Sequence, residues 1–314
     1  MKKEKILKIT GLCFVLILAG LLLHLSFQNL FASGAKNQQD LALAIPAAVS
    51  TAKNLEPITK PEIKKPDFTA KSVVSIYTDK SDNEKVLYQK NPDEKLLIAS
   101  LTKLTTAAIA FENYDLNQKV TIDEADVLQG GFLRAGESFS IKNLLYAALI
   151  GSDNSAAYAL SKVKDKSWFV GLMNQKAKDF GLTNTYFSNS VGFGQDNHST
   201  ALELAKLTDV ILRQHPIIFD ITNNAKYGIY NFDGSFHHTV YSTNNFLTGV
   251  TPADWKNKIV GSKTGNNELA GECLIIVLSA PNNDGYLINV ILDSKDRFGD
   301  MKKLVDWENI AYNW

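Results

Sequence analysis

The sequence predicts an α/β fold of the α+β type: an antiparallel sheet covered by helices, with an all-helical lobe inserted. Three observations predict it. Strand-like hairpins stand at both ends of residues 67–314, helical periodicity fills the middle, and an apolar helical pattern closes the chain. At the start, Val73–Tyr77 and Lys85–Gln89 are short β-rich runs separated by the turn-rich Asp79–Asn83. Near the end, Leu274–Ser279 and Tyr286–Leu292 flank Pro281-Asn282-Asn283-Asp284-Gly285, a second hairpin signal. Helices are expected over Leu101–Glu112, Ile141–Ile150, Ser155–Val163, Trp168–Phe180 and Ala201–Arg213. The last segment repeats apolar residues at Met301, Leu304, Val305, Trp307, Ile310 and Ala311, mostly helical spacing.

The chain has 314 residues, 45% of them apolar, enough for one large core or two small ones. Lysine plus arginine and aspartate plus glutamate each total 33, so no basic excess exists for phosphate backbones and no nucleic-acid partner is expected. Cys13 and Cys273 are the only cysteines, too few for a disulfide framework or a cysteine zinc site. Cys273 is read as a small buried apolar residue.

The zero net charge hides an asymmetry. Lys2, Lys3, Lys5 and Lys8 stand against Glu4 just before Ile9–Phe27, a run without formal charge apart from the titratable His24. As a helix that run reaches about 28 Å, close to the hydrocarbon thickness of a bilayer. The lysines favour a cytoplasmic N-terminus and a translocated remainder. Residues 1–32 are therefore expected to be a membrane anchor, or a signal segment cleaved before Ala35 after Ala32 and Gly34. Either outcome puts the bulk of the protein outside the cytoplasm, anchored at the cell membrane or, after cleavage, secreted. Residues 33–66 hold four of the eight prolines, Pro46, Pro57, Pro61 and Pro66, and read as a semi-rigid tether reaching up to about 100 Å. The ordered domain is expected over residues 67–314.

A serine three residues before a lysine on a helix puts both side chains on one face, where a desolvated lysine can take the hydroxyl proton. The pattern occurs four times: Ser33–Lys36, Ser50–Lys53, Ser100–Lys103 and Ser161–Lys164. The first two fall in the tether, and the last precedes a charged run and reads as a solvated face. Ser100 alone opens a long apolar-rich helix, where backbone N–H groups favour developing negative charge. Ser-Asp-Asn occurs twice, at Ser81-Asp82-Asn83 in a hairpin turn and at Ser152-Asp153-Asn154 between two apolar helices. Lys263-Thr264-Gly265 occurs once and reads as an edge-strand carboxylate clamp, with glycine permitting close approach.

Serine–lysine, serine–asparagine and lysine–threonine–glycine, in that order, form the set shared by penicillin-binding proteins and class A β-lactamases. The chain resembles the serine-type D-alanyl-D-alanine carboxypeptidases, low-molecular-mass penicillin-binding proteins. IASLTKLTTA, IKNLLYAALIGSDNSAAYAL, TNTYFSNSVGFG, STALELAKL and GSKTGNNELAGECLIIVLSA extend the resemblance over roughly residues 68–312. It implies a β-lactamase/transpeptidase-like fold and a penicillin-binding D,D-peptidase domain acting on peptidoglycan stem peptides, with β-lactams as covalent inhibitors and no cofactor or metal. It further implies that Ser100 attacks the penultimate D-alanine carbonyl and that Lys103 is the base. Ser152 would relay a proton to the leaving amine, and Asn154 would orient Lys103 and the substrate amide. Lys263, Thr264, Gly265 and Asn266 would bind substrate, the backbone N–H groups of Ser100 and Asn266 forming the oxyanion hole. Two departures stand out. Asp153 replaces the usual glycine, a β-lactamase-like choice, and the chain stops at Trp314 without the β-rich domain and amphipathic tail of many relatives, a tail that an N-terminal anchor would replace.

Alternatives within the scaffold are a D,D-endopeptidase and a β-lactamase; outside it stands a non-enzymatic penicillin-sensing or peptidoglycan-binding module. A binder needs no activated nucleophile, which argues against the module. The β-lactamase glutamate has no counterpart in Phe187–Gly194, and Glu203 is expected to face solvent beside Leu202, Leu204 and Leu207. His237 and His238, adjacent on a strand, are expected on opposite faces. His198 and His215 read as surface or capping residues, leaving no histidine–acid pair for a serine–histidine–aspartate hydrolase. Phe236 and Trp255 fit either the groove or the core.

Overall fold

The computed structural model describes residues 56–249, 251–255 and 258–314. The candidate anchor at 9–27, Cys13, Ser33–Lys36 and Ser50–Lys53 lie outside them. Among the described residues no helix is long and apolar enough to cross a membrane. In chain order the principal strands are β1 (Ile58–Thr59), β2 (Ser72–Asp79), β3 (Glu84–Lys90), β4 (Lys226–Tyr230), β5 (Phe236–Tyr241), β6 (Ile259–Asn267), β7 (Gly271–Ser279), β8 (Gly285–Ser294) and β9 (Tyr312–Asn313). The principal helices are α1 (Thr102–Asn113), α2 (Ile141–Ile150), α3 (Asn154–Lys162), α4 (Lys166–Asp179), α5 (Ala201–Gln214), α6 (Pro216–Thr222) and α7 (Arg297–Ala311).

The central sheet is antiparallel, in the order β6-β7-β8-β2-β3. Its strands are apolar on both faces because both faces are covered. Val74, Ile76, Ile275, Val277, Ile288 and Val290 point into one core with α1, α2 and α5. Their alternates Val73, Tyr77, Leu274, Ile276, Leu287 and Ile291 meet Met301, Leu304 and Val305 of α7 on the other side. The helical lobe between β3 and β6 is the inserted unit that the grouped helices imply. Ile310, counted with the apolar positions, is instead 57% exposed, and Glu308 takes the buried position on that face.

Chain contact with this domain begins before Asp67. β1 pairs antiparallel with β9, Ile58 opposite Asn313 and Thr59 opposite Tyr312. Lys60 N donates to Ala311 O at 2.7 Å, and Lys85 Nζ donates to Pro57 O at 2.8 Å. The last part of the expected tether therefore lies along the domain edge.

The β4–β5 hairpin corrects the histidine expectation. Ile229 pairs with His238 and Tyr230 with Phe236, so His237 is the extra residue of a β-bulge. The bulge turns both histidines together, ring centroids 4.6 Å apart with their Nδ1 atoms in contact, and His237 Nε2 meets Glu137 Oε1 at 3.0 Å. Trp255 is core and Phe236 is 59% exposed on the hairpin.

Candidate active site

The turn before α1 sets the position of Ser100. Residues Ala99–Leu101 form a single 3₁₀ turn, and Ala99 is held at φ 44°, a left-handed conformation that costs a non-glycine residue roughly 1–2 kcal/mol. Thr102 Oγ1 donates to Ala99 O at 2.8 Å and closes the turn. Two glycines let other chain segments reach it. A Cβ on Gly192 would come within 1.8 Å of Ala99 O, and one on Gly265 within 2.9 Å of Ile98 O and 3.2 Å of Ser100 N. Gly265 thus lets β6 lie against the Ser100 amide, as the close-approach reading of that glycine requires.

Lys103 lies one helical turn on, completely buried. Its Nζ donates to Ser100 Oγ at 2.7 Å, Asn154 Oδ1 at 2.8 Å and Val191 O at 3.1 Å. Burial lowers its pKa to about 7, and the Asp153 carboxylate opposes that shift.

Ser152 sits between α2 and α3 at φ 57°, a second left-handed non-glycine residue. Asp153 is buried beside it and caps α3: Oδ1 accepts from Ala156 N at 2.8 Å. Its Oδ2 accepts from Phe132 N at 2.7 Å, and Asn154 Nδ2 donates to Gln129 O at 2.6 Å. Both side chains fix the 129–132 loop along one wall of the cleft.

On the facing sheet, Lys263 Nζ donates to Ser152 Oγ and to Thr264 O, each at 3.0 Å. Burial, reinforced by Lys103 and Arg297, pushes the Lys263 pKa well below that of an ordinary lysine. The structure thus brings Ser100, Lys103, Ser152, Asn154, Lys263, Thr264, Gly265 and Asn266 to one cleft. It opens into a groove of about 540 Å³ lined by Ser100, Asn154, Gly192, Phe193, Asn266 and Leu269 among others.

Three participants escaped the sequence reading. Arg297 Nη1 donates to Gly265 O at 2.8 Å and brings a guanidinium beside the lysine–threonine–glycine strand. It is one of three arginines in the chain, a scarcity by which the sequence could have singled it out. Thr243 Oγ1 touches Thr264 Oγ1. The Val191 carbonyl is backbone, which no residue type announces.

Two expectations are corrected. Ser161 is buried, its Oγ donating to Tyr158 O at 2.6 Å, whereas Lys164 is exposed with its Nζ 4.7 Å over the Trp168 ring, so only the lysine of that pair lies on the solvated face. Glu203 is 8% exposed rather than solvent-facing, because its carboxylate accepts from Asn184 N at 2.9 Å and Thr185 Oγ1 at 2.6 Å. Ser81–Asn83 is the hairpin turn expected, with Asp79 Oδ1 accepting from Ser81 N and Asn83 N. His215 meets Glu112 at 2.7 Å on the surface of the helical lobe. Cys273 is fully buried, its thiol pKa pushed up to about 12 by desolvation. Among the described residues no group of three histidine, cysteine or acidic side chains could hold a metal ion.

An antiparallel sheet carrying a helical lobe defines the class of DD-peptidase and β-lactamase-like proteins. The DD-transpeptidase of Streptomyces K15 superposes with a TM-score of 0.68 at 26% identity, over 79% of this chain and 99% of that one. The chain belongs to the D-alanyl-D-alanine carboxypeptidase family, whose model matches residues 59–296. It is 31% identical over 238 residues to the D-alanyl-D-alanine endopeptidase of Pseudomonas aeruginosa, covering 71% of this chain and 73% of that one. It is also 32% identical to the D-alanyl-D-alanine carboxypeptidase DacF of Bacillus subtilis, covering 77% of this chain but only 63% of the relative.

Proposed function

We propose that this protein is a serine D,D-carboxypeptidase that removes the terminal D-alanine of peptidoglycan stem peptides through an acyl-enzyme on Ser100. The observation that carries this reading is the hydrogen bonding of Lys103. A neutral amine has two N–H donors and one lone pair. With Asn154 Oδ1 and Val191 O accepting the two donors, the lone pair faces the Ser100 hydroxyl 2.7 Å away. A pKa near 7 makes that neutral form abundant at physiological pH.

Ser100 Oγ then forms its bond to the penultimate carbonyl carbon as Lys103 takes the hydroxyl proton. The Ser100 and Asn266 amides stabilise the oxyanion. When the C–N bond breaks, the proton leaves with D-alanine by way of the Ser152 hydroxyl. Lys263 and Thr264 hold the terminal carboxylate, which restores the protonated form of Lys263 that burial disfavours. Water, activated by Lys103, cleaves the ester and returns the proton to Ser100. The apolar run at 9–27 behind its lysines anchors the domain on the outer face of the cell membrane.

An endopeptidase differs only in its leaving group, a second stem peptide instead of free D-alanine. Incubating the ectodomain with a pentapeptide and with a cross-linked dimer separates the two. Release of D-alanine from the pentapeptide supports the proposal. Cleavage of the dimer alone replaces it with the endopeptidase reading, and cleavage of neither overturns both.

A further inference from the structure

The segment after β5 is fastened to β6 at two neighbouring points. Asn244, 1% exposed, donates from Nδ2 to Ser262 Oγ at 2.8 Å, and Thr243 Oγ1 meets Thr264 Oγ1. Thr243 N also donates to Ile150 O at 3.3 Å, two residues before Ser152. Thr243 therefore touches the clamp strand with its hydroxyl and the serine–asparagine motif's helix with its backbone.

The hydroxyl pair has only two protons. A carboxylate accepts hydrogen bonds and donates none, so Thr264 can hold it only by donating its single proton to it. If Thr264 donated to Thr243 instead, its lone pairs would face the anion. The pair serves the clamp only when Thr243 donates to Thr264 and Thr264 donates onward.

We propose that Thr243 is a positioning residue: its hydroxyl orients Thr264 to donate to the substrate's terminal carboxylate. This rests on the carboxypeptidase reading above, in which Thr264 meets that carboxylate. Anchoring of the loop does not depend on the Thr243 hydroxyl, because Asn244 bonds Ser262 and Phe246 N bonds Asn244 Oδ1 at 3.0 Å. Losing the hydroxyl therefore acts on recognition of the carboxylate more than on the fold.

The test compares two peptides, one ending in a free D-alanyl-D-alanine carboxylate and one with that carboxylate amidated. Thr243→Val keeps the branched shape and deletes the hydroxyl; it is expected to raise KM for the acid about tenfold with kcat changed less than threefold, and to leave the amide unaffected. Thr243→Ser restores the wild-type KM. Asn244→Ala, a purely structural lesion, weakens both peptides alike. Should Thr243→Val fail to fold, judged by its melting curve, Thr243→Ala is measured against Thr243→Ser in the same assays. An unchanged acid-to-amide KM ratio in a folded hydroxyl-free variant, with wild type active, overturns the role of Thr243 alone. A wild type that releases no D-alanine and is not acylated by penicillin overturns the carboxypeptidase reading and this proposal with it.

Discussion

Lys263 on the edge strand donates a 3.0 Å hydrogen bond to Ser152 on the helical lobe, 111 residues away. The bond crosses the cleft and places one lysine on each side of the Ser152–Asn154 turn, since Lys103 bonds Asn154 at 2.8 Å. Both lysines are buried and both have lowered pKa values, but they differ in their surroundings. Lys103 has the Asp153 carboxylate near it, whereas Lys263 has only the cations Lys103 and Arg297. Lys103 thus suits a proton acceptor, and Lys263 lacks an anion that substrate can supply.

The proposed nucleophile, Ser100, can be separated from the buried look-alike, Ser161. Ser100→Ala is expected to abolish covalent labelling by a fluorescent penicillin while leaving the melting temperature within a few degrees of wild type, since the Ser100 side chain bonds only Lys103. Ser161→Ala is expected to label normally. The reverse pattern, read on a gel, would exchange the assignments.

The two lysines set the pH profile with opposite signs. Lys103 must be neutral to accept a proton, so kcat/KM should fall tenfold per unit as pH drops below about 7. Lys263 must be charged to hold a carboxylate, so activity should also fall on the alkaline side well before an ordinary lysine would lose its proton. The Asp153 carboxylate favours protonated Lys103, so Asp153→Asn should move the acid limb to lower pH. An acid limb that stays put in that variant would remove Asp153 from the account.

Much of this arrangement was legible in the sequence. Motif order selected Ser100 over three competing serine–lysine pairs, and the β-rich runs flanking turn signals at both ends of the domain predicted the sheet. What stayed hidden depends on long-range packing. Glu203 sits in the first turn of α5, where solvent and a buried acceptor role look alike until the Asn184–Thr185 segment arrives to donate to it. The His237 bulge shifts register by one residue, which two-residue periodicity cannot show. Glu308 was readable: it continues the spacing of Met301, Leu304 and Val305, where an acid is out of place.

That acid carries a stability prediction. Glu308 is fully buried against Ser75 and Asn289, which pair in register on β2 and β8, and desolvation raises its pKa to about 8. Between 4.5 and 8 the native state binds the proton that the unfolded chain has released, so stability falls as pH rises through that window. At about 1.4 kcal/mol per unit the loss by pH 7 is of the order of 3 kcal/mol. Glu308→Gln should remove the decline in melting temperature that wild type shows between pH 5 and 7, below the pH at which Lys103 begins to titrate. Parallel curves for the two proteins would refute the buried-proton assignment.

The edge pairing of β1 is testable by truncation. A chain starting at residue 67 loses both β1–β9 pairs and the bonds from Lys60 N and Lys85 Nζ, though no residue of the cleft. It should fold and keep wild-type kcat/KM but lose about 1–3 kcal/mol relative to a chain starting at residue 56. In thermal melts that is a drop of several degrees. Equal melting temperatures would mean that the 56–66 segment adds nothing to the domain.

The fate of the penicilloyl adduct separates carboxypeptidase from β-lactamase. Class A β-lactamases hydrolyse penicillin rapidly by means of a glutamate positioned to activate water at the ester. Residues 187–194 hold no acid, and the exposed Asp196 does not line the groove that contains Ser100; in that stretch Asn189 Oδ1 accepts from Gly192 N at 2.8 Å, and Lys103 bonds the Val191 carbonyl. Glu203 is occupied by Asn184 and Thr185, and Asp153 by Ala156 and Phe132. Glu268 lines the groove but lies three residues past Gly265, about 10 Å along an extended chain. The penicilloyl ester on Ser100 is therefore expected to persist for minutes or longer, whereas the D-alanyl acyl-enzyme turns over faster because free D-alanine departs and admits water. Intact-mass spectrometry after a short penicillin pulse measures this directly. Multiple-turnover hydrolysis with no retained adduct would move the protein to the β-lactamase side, and Glu268→Gln would then be the first variant to test as its base.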